Sequence, residues 1–383
     1  MSTKGYELAD VIEYFGQSYV EKHHPNSYQL RVLGALTACR TKAMGGHKYV
    51  CDCCGKSKIA YNSCRNRHCP MCQGAKQAFW VEDRLNNAFP VKHYHIVFTV
   101  PESLNNICML NNQWFYNLMF ECVWKTLQGF GYTHFGAESG AICLLHSWGQ
   151  NLSLHPHIHC IVPALGYSLK GRLKHIGKSG KYLFPVIKLS LKFKGMFMAA
   201  VKKKLIKQEL LKEHQKAIDD AYSKPWVVHC EPSLGKPDNV VKYLGQYTHR
   251  VAISNRRIIN IDNTHVYFSM KDYRQNSQLK VTSLPGEEFL RRFVLHILPK
   301  GFVKIRHYGI YSVRFRSTIF KLAEKTCSIQ PQESNTERIS RLMNRDIGAC
   351  QHCKKGRMII AEIIPRSRSP GFLVLPPQIQ LNH

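Results

Sequence analysis

Three histidines occupy alternate positions in the segment 154–160, at His155, His157 and His159. If this segment is a β-strand, His157 and His159 point to the same face, because side chains alternate along a strand. Ile158 then points to the opposite face, toward a core. Two imidazoles on one face can hold one metal ion, and such an ion polarises a phosphodiester. The alternative is a pair of ordinary sheet histidines, since folded proteins also tolerate imidazole in sheets.

A pair of tyrosines, Tyr243 and Tyr247, lies further along the chain. The segment 240–250 is predicted to be helical, and a spacing of four residues places both phenols on one helix face. A phenol has a pKa near ~10 and becomes a nucleophile when a nearby cation favours its phenolate. The alternative interpretation is a packing stripe on an amphipathic helix. Gly245, between the two tyrosines, weakens the helix prediction.

Composition limits the partners that fit this chain. The 383 residues include 54 Lys and Arg but 25 Asp and Glu, which gives a formal net charge of +29. This charge favours nucleic acid as the partner, with the ribosome or an anionic membrane surface as alternatives. No run approaches the ~18 apolar residues of a membrane span, and the N-terminus lacks an apolar signal core. We therefore predict a cytoplasmic protein without a membrane partner.

Cysteines concentrate between residues 51 and 72, and in a cytoplasmic protein they are ligands or buried thiols rather than disulfides. The pairs Cys51/Cys54 and Cys69/Cys72 are predicted to hold one tetrahedral, structural Zn²⁺. A different ligand set or a second ion stays open, with nearby candidates at Cys53, Cys64, His47 and His68. A second half-site is formed by Cys350 and Cys353, with Cys327, His352, another part of the chain or no metal at all as the alternatives.

The periodicity of apolar residues predicts α+β organisation in four parts. Residues 1–45 are predicted to be a helical segment, 46–80 the zinc-binding module, and 81–320 a main domain with a basic insertion near 165–235. Residues 321–383 are predicted to form an irregular C-terminal tail that carries the second Cys-x-x-Cys pair. Within the main domain, strands at 141–148 and 156–162 form a hairpin through a turn at 149–151, and another hairpin turns near Asn263.

Six motifs together resemble the insertion-sequence ninety-one group of transposases, which are rolling-circle enzymes of the two-tyrosine HUH type. The resemblance covers about residues 30 to 355. In chain order the motifs span 61–70, 95–101, 146–150, 155–160, 243–254 and 289–302.

The resemblance implies a ferredoxin-like palm, in which a central antiparallel sheet with flanking helices carries the HUH strand and follows a small zinc-ribbon-like module. It also implies that His157 and His159 bind Mg²⁺ or Mn²⁺, and that Tyr243 and Tyr247 attack single-stranded DNA to form 5′-phosphotyrosine links. The partners would be the ends of the mobile element and target DNA in the bacterial cytosol or nucleoid. No Gly-x-x-x-x-Gly-Lys-Ser/Thr loop is present, so strand separation is assigned to host replication or helicase factors.

Enzymes with this histidine pair usually take a third ligand from a neighbouring strand or from the tyrosine helix. His146 is the first choice, because a hairpin would place the preceding strand beside His157. The competitors are His95, Gln150, Gln246 and His155. Candidate phosphate contacts, each of which is alternatively an ordinary surface charge, are Arg65, Arg67, Lys242, Arg250, Arg291 and Arg292.

Two other functions compete with transposition. A replication initiator or relaxase would share the same chemistry, although a zinc module placed before the palm favours a transposase. A zinc-dependent DNA-binding protein without catalytic activity would keep the histidines and tyrosines only for structural reasons.

Overall fold

The computed structural model of the protein describes residues 5–86, 89, 91–177, 183–231, 245, 251–272, 277–315 and 333–367. The helices within these ranges are α1 (Leu8–His23), α2 (Ser27–Thr37), α3 (Gln73–Asn86), α4 (Asn105–Leu110), α5 (Asn112–Phe135), α6 (Val186–Lys207), α7 (Leu211–Ser223), α8 (Gly286–Leu295) and α9 (Asn335–Leu342). The strands are β1 (Gly46–Cys51), β2 (Ser57–Tyr61), β3 (His93–Thr99), β4 (Ala137–Trp148), β5 (Leu154–Pro163), β6 (Leu165–Ser168), β7 (Leu173–His175), β8 (Val228–Glu231), β9 (Ile258–Ile261), β10 (His265–Asp272), β11 (Gln278–Pro285), β12 (Ile305–Gly309) and β13 (Met358–Ile364).

The main sheet is antiparallel and has the strand order β7-β6-β4-β5-β3-β8. The strand β12 also pairs with β4. One face carries an apolar core that includes Tyr94, Ile96 and Phe98, and α5 and α6 pack against it with side chains such as Phe115 and Phe193. This arrangement confirms the predicted α+β class with a central antiparallel sheet and flanking helices.

Side chains at the intervening positions of each strand point to the opposite face of the sheet, among them the histidines of β3, β4 and β5. Helix α3 lies against this face near β12, where Trp80 packs on Ile142 and Ile161. The Arg84 guanidinium of α3 lies 3.3 Å from Nε2 of His307 on β12. Helix α3 therefore covers one end of the histidine face.

A second apolar core joins the N-terminal helices to the later part of the chain. Helices α1 and α2 pack with α8 and with the sheet β11-β10-β9, through buried residues that include Val11, Phe268 and Phe289. Gly286 begins α8 against the ring of Phe15, where a Cβ atom would overlap the ring. The close α1–α8 contact thus requires glycine at this position.

Two parts of the predicted organisation look different in the structure. The segment 165–235, expected to be a basic insertion, contributes β6, β7 and β8 to the main sheet and α6 to its core. The segment expected to be an irregular tail contains α9 and β13, and β13 pairs with β1 to complete the sheet β13-β1-β2. In both places, partners distant in sequence supply the contacts, so local pattern alone is a poor guide.

None of the described helices is long and apolar enough to span a bilayer.

Candidate active site and metal centres

Three histidines converge on the face of the main sheet that is opposite the α5–α6 core. His146 on β4 pairs directly with His157 on β5, and His159 follows two residues later on the same face. The ring centroids are 5.4 Å apart for His146 and His157, 5.0 Å for His157 and His159, and 4.7 Å for His146 and His159. One nitrogen from each ring lies within 4.8 Å of the others. The antiparallel register thus brings the predicted third ligand beside the pair.

Contacts with neighbouring groups orient these rings. Nδ1 of His157 lies 2.6 Å from the carbonyl oxygen of His155. Because a carbonyl only accepts, Nδ1 carries the proton and Nε2 keeps its lone pair. Nδ1 of His159 lies 2.9 Å from Nε2 of His95, and the Trp148 ring stacks on His146 at 4.7 Å. Burial lowers the pKa of His157 to about 4, so its ring is neutral at pH 7 and available as a ligand.

The arrangement separates His146 from His95, one of its competitors as third ligand. His95 bonds to a histidine of the site rather than joining its cluster. The backbone carbonyl of Gln150 accepts a hydrogen bond from the Arg257 guanidinium, and its side-chain amide stays an alternative ligand. His155 is exposed, with its ring 5.1 Å from that of His157, and Gln246 lies outside the described residues. Three imidazole nitrogens are a donor set that fits a divalent transition-metal ion.

The segment with the predicted nucleophiles is described at one residue only. Tyr243, Tyr247, Lys242 and Arg250 lie outside the described residues. Gly245, between the tyrosines, is helical and buried. A Cβ atom at this position would overlap Cγ2 of Val81 on α3. The glycine that seemed to weaken the helix prediction therefore allows close packing on α3, which itself lies on the histidine face.

The other predicted phosphate contacts differ in how much of their charge is available. The Arg67 guanidinium donates to the carbonyls of Phe302 and Pro299, the latter at 2.7 Å, so it ties the cysteine-rich segment to the loop before β12. Arg65 is exposed and has a left-handed backbone, with φ of 54°. Arg65 is thus better placed than Arg67 for contact with an external phosphate.

The arginines of α8 are engaged within the helix. Arg291 and Arg292 both pair with Glu288, at 2.5 Å and 2.7 Å. These hydrogen bonds lower the pKa of Glu288 to about 2, so its negative charge persists at neutral pH. The carboxylate offsets part of the positive charge that Arg291 and Arg292 would offer to DNA.

The cysteines form two four-thiol clusters, and this corrects the predicted zinc ligand set. Cys69 and Cys72 join Cys39 and Cys64 in one cluster, and Cys51 and Cys54 join Cys350 and Cys353 in the other. The prediction missed Cys39 because it is a single cysteine just after α2, outside any Cys-x-x-Cys pair. Its only sequence signal was proximity to the cysteine-rich segment.

The first cluster, Cys39/Cys64/Cys69/Cys72, has the dimensions of a tetrahedral site. Its Sγ–Sγ distances are 3.5 Å for Cys39–Cys72, 3.6 Å for Cys39–Cys69 and 3.7 Å for Cys64–Cys72. Zn–S bonds of about 2.3 Å in a tetrahedron require edges of about 3.8 Å. The backbone N–H of Asn66 points to Sγ of Cys64 at 3.4 Å, a contact that favours a thiolate. Four thiolates complete the tetrahedron, which is typical of structural zinc.

Comparison with known proteins identifies the family. A model described as "Transposase zinc-binding domain" matches residues 11–100, and one described as "Putative transposase" matches residues 140–318. A Sinorhizobium fredii protein named "Putative transposase y4qJ" is 37% identical over 394 residues, covering 97% of this chain and 98% of the relative. The chain belongs to the insertion-sequence ninety-one group of transposases.

A more distant relative of this transposase is also informative about its family. The Pseudomonas savastanoi pv. phaseolicola "Transposase for insertion sequence element IS801" is 25% identical over 303 residues, which is 75% of this chain and 71% of the relative. No solved structure matches the chain. The transposase therefore acts on DNA and has an N-terminal zinc-binding domain, whose matched range contains all four cysteines of the first cluster.

Proposed function

We propose that this transposase carries out rolling-circle transposition by cutting and rejoining single-stranded DNA at the ends of its mobile element. The observation that carries the proposal is the convergence of His146, His157 and His159 on one face of the sheet. A helical, buried Gly245 packed on α3 is consistent with a tyrosine helix near that face.

In the proposed reaction, Tyr243 or Tyr247 is the nucleophile. The phenolic oxygen forms a bond to phosphorus and loses its proton to solvent, while the bond between phosphorus and the 3′ oxygen breaks. The 3′ oxygen takes up a proton, which leaves a 5′-phosphotyrosine and a free 3′-hydroxyl. One phosphoester is exchanged for another, so rejoining needs no ATP. Two tyrosines allow one to retain the first strand while the other cuts the second.

The three histidines would hold the divalent ion, which supplies Lewis-acid polarisation of the scissile phosphate when bound. In the described part of the chain, the cluster contains no carboxylate. Mg²⁺ prefers oxygen ligands, whereas Mn²⁺ also accepts imidazole. We therefore expect Mn²⁺ to support cleavage at lower concentration than Mg²⁺, as a titration of both ions would measure.

The remaining predicted residues take supporting roles in the proposal. Cys39, Cys64, Cys69 and Cys72 would hold the zinc of the N-terminal domain. Arg65, Lys242 and Arg250 would contact phosphates of the bound strand, and Arg67 would hold the domain against the palm. Host replication or helicase factors would supply the single strand.

The decisive experiment looks for a covalent protein–DNA adduct. The protein is incubated with Mn²⁺ and end-labelled single-stranded oligonucleotides that cover the ends of its element, and adducts are resolved on denaturing gels. We expect an adduct with the wild type and none with the Tyr243→Phe/Tyr247→Phe double variant. Persistence of the adduct in that variant would refute the assigned nucleophiles.

Matched controls separate chemistry from folding. Tyr222→Phe removes the hydroxyl of an exposed tyrosine on α7 and should leave the adduct unchanged. His157→Ala should abolish the adduct, whereas His175→Ala, at an exposed position of β7, should not. A wild type that binds the oligonucleotide but never forms an adduct would favour a DNA-binding protein without catalytic activity.

A further inference from the structure

The second cysteine cluster draws its members from opposite ends of the chain. Cys51 and Cys54 lie at the turn between β1 and β2, and Cys350 and Cys353 lie shortly before β13. The Sγ–Sγ distance is 3.6 Å for Cys51–Cys353 and 3.8 Å for Cys54–Cys350. These distances match the edges of about 3.8 Å expected for a tetrahedral zinc tetrathiolate.

The two Cys-x-x-Cys segments have the same backbone geometry. The N–H of Gly55 donates to the carbonyl of Cys51 at 3.1 Å, and the N–H of Lys354 donates to that of Cys350 at 3.0 Å. Gly55 and Lys354, each directly after the second cysteine of its pair, have φ of 68° and 58°. Two turns of the same form, distant in sequence, thus face each other with their sulfurs inward.

Backbone N–H groups are directed at the sulfurs of this cluster. The N–H groups of Cys53 and Cys54 lie 3.4 Å and 3.5 Å from Sγ of Cys51, and that of Gly356 lies 3.3 Å from Sγ of Cys353. Such contacts stabilise a negatively charged sulfur, which is the form that binds a metal.

The sheet joined to this cluster has little apolar burial of its own. All five residues of β2 are exposed, and in β13 Ile359, Ile360 and Ile363 have exposed fractions of 53%, 55% and 71%. Small sheets without a buried face are marginal unless another element or a metal stabilises them. The backbone ladder between β1 and β13 therefore needs another source of stability.

We propose that Cys51, Cys54, Cys350 and Cys353 form a second structural zinc site, which fastens the C-terminal segment to the N-terminal module. Neither matched family range reaches Cys350 or Cys353. The zinc ribbon is thus composite, with one half from each end of the chain. This proposal does not depend on the DNA chemistry proposed above.

Zinc analysis of the full-length protein, purified under reducing conditions, tests the stoichiometry. We expect two zinc ions per chain in the wild type and one in the Cys350→Ser/Cys353→Ser variant. Cys53→Ser is the matched control, because this exposed thiol lies in the same turn but outside the cluster, and it should retain both ions. An unchanged zinc content in the double variant would overturn the proposal.

Alkylation of the wild type keeps the test informative if the double variant fails to fold. With zinc bound, the exposed Cys53 should react with iodoacetamide, whereas Cys353 should react only after a chelator is added. Hydrogen exchange across Met358–Ile364 should rise on the same addition. Two outcomes would contradict the second site. One is labelling of Cys353 at the same rate as Cys53 without chelator, and the other is hydrogen exchange that does not change when the chelator is added.

Discussion

At the scale of single residues, the contact between His95 and His159 links the tautomers of the two rings, because one nitrogen of the pair must donate and the other accept. If Nδ1 of His159 donates to Nε2 of His95 at 2.9 Å, the Nε2 lone pair of His159 is directed to the metal position. Outer partners of this kind orient ligands and raise their affinity for the ion. His95, which the sequence offered as a competing ligand, is thus better assigned as a positioning residue.

Replacement of His95 should weaken metal binding without removing a ligand. We expect His95→Ala to reduce Mn²⁺ affinity by about 10–100-fold, the usual cost of an outer partner. His95→Gln retains an acceptor and should recover part of the loss. Mn²⁺ titration followed by electron paramagnetic resonance measures both. Equal affinity of His95→Ala and the wild type would contradict the positioning role.

A second buried histidine predicts how stability depends on pH. His296 lies 3.0 Å from the carbonyl of Leu152 through Nε2 and 3.1 Å from the hydroxyl of Ser147 through Nδ1. Burial lowers the pKa of His296 to about 4. As the pH falls below about 6.5, His296 becomes protonated in the unfolded chain but stays neutral in the folded chain. The free energy of unfolding therefore decreases toward pH 4.

Substitution at this position isolates the contribution of His296. Chemical denaturation of the wild type at pH 7 and pH 5 should show a loss of about 1–2 kcal/mol attributable to this histidine. The His296→Asn variant should be less stable at pH 7 but should lose less on acidification. A variant with the same pH dependence as the wild type would assign the effect to other groups.

At the scale of elements, the contact between Gly245 and α3 connects the tyrosine segment to the fold. Gly245→Ala should place a Cβ atom against Val81, and overpacking of this kind costs about 1–3 kcal/mol. Adduct formation should fall because the segment is displaced. Val81→Ala in the same chain should recover activity by making room for the added methyl group.

The control for this prediction is a glycine in open surroundings. A Cβ atom at Gly195 of α6 would meet no other group within 4 Å, so Gly195→Ala should leave adduct formation unchanged. Thermal unfolding and adduct yield are measured for all four proteins. Failure of Val81→Ala to relieve the effect of Gly245→Ala would argue against a direct contact.

At the scale of the whole molecule, the net charge of +29 makes DNA binding sensitive to salt. For single strands, log K falls with log salt by about 0.7 per phosphate contact, so six contacts weaken binding on the order of 10²–10³-fold between 50 and 200 mM NaCl. Arg65→Ala should reduce the slope by about 0.7. Arg291→Ala should change it less, because Arg291 is paired with Glu288. Fluorescence anisotropy at several salt concentrations measures the slope for each variant. Equal slopes for Arg65→Ala and Arg291→Ala would contradict the assignment of Arg65 as a phosphate contact.

Several local features of this protein follow from the order of its residues alone. Strand alternation placed His157 and His159 on one face, and the hairpin through 149–151 made His146 the first choice of third ligand. Charge identified nucleic acid as the partner class, and ordered motifs identified the family. These inferences succeed because they depend on residues that are close in the chain.

Tertiary structure decided which distant residues meet. The predicted single zinc site failed because Cys51 and Cys69, although close in sequence, belong to separate clusters completed by Cys353 and Cys39 respectively. Spacing defines a Cys-x-x-Cys turn, but it carries no information about which other turn approaches it. That choice depends on β1–β13 pairing for one cluster and on the end of α2 for the other, and both are fixed only when the chain packs.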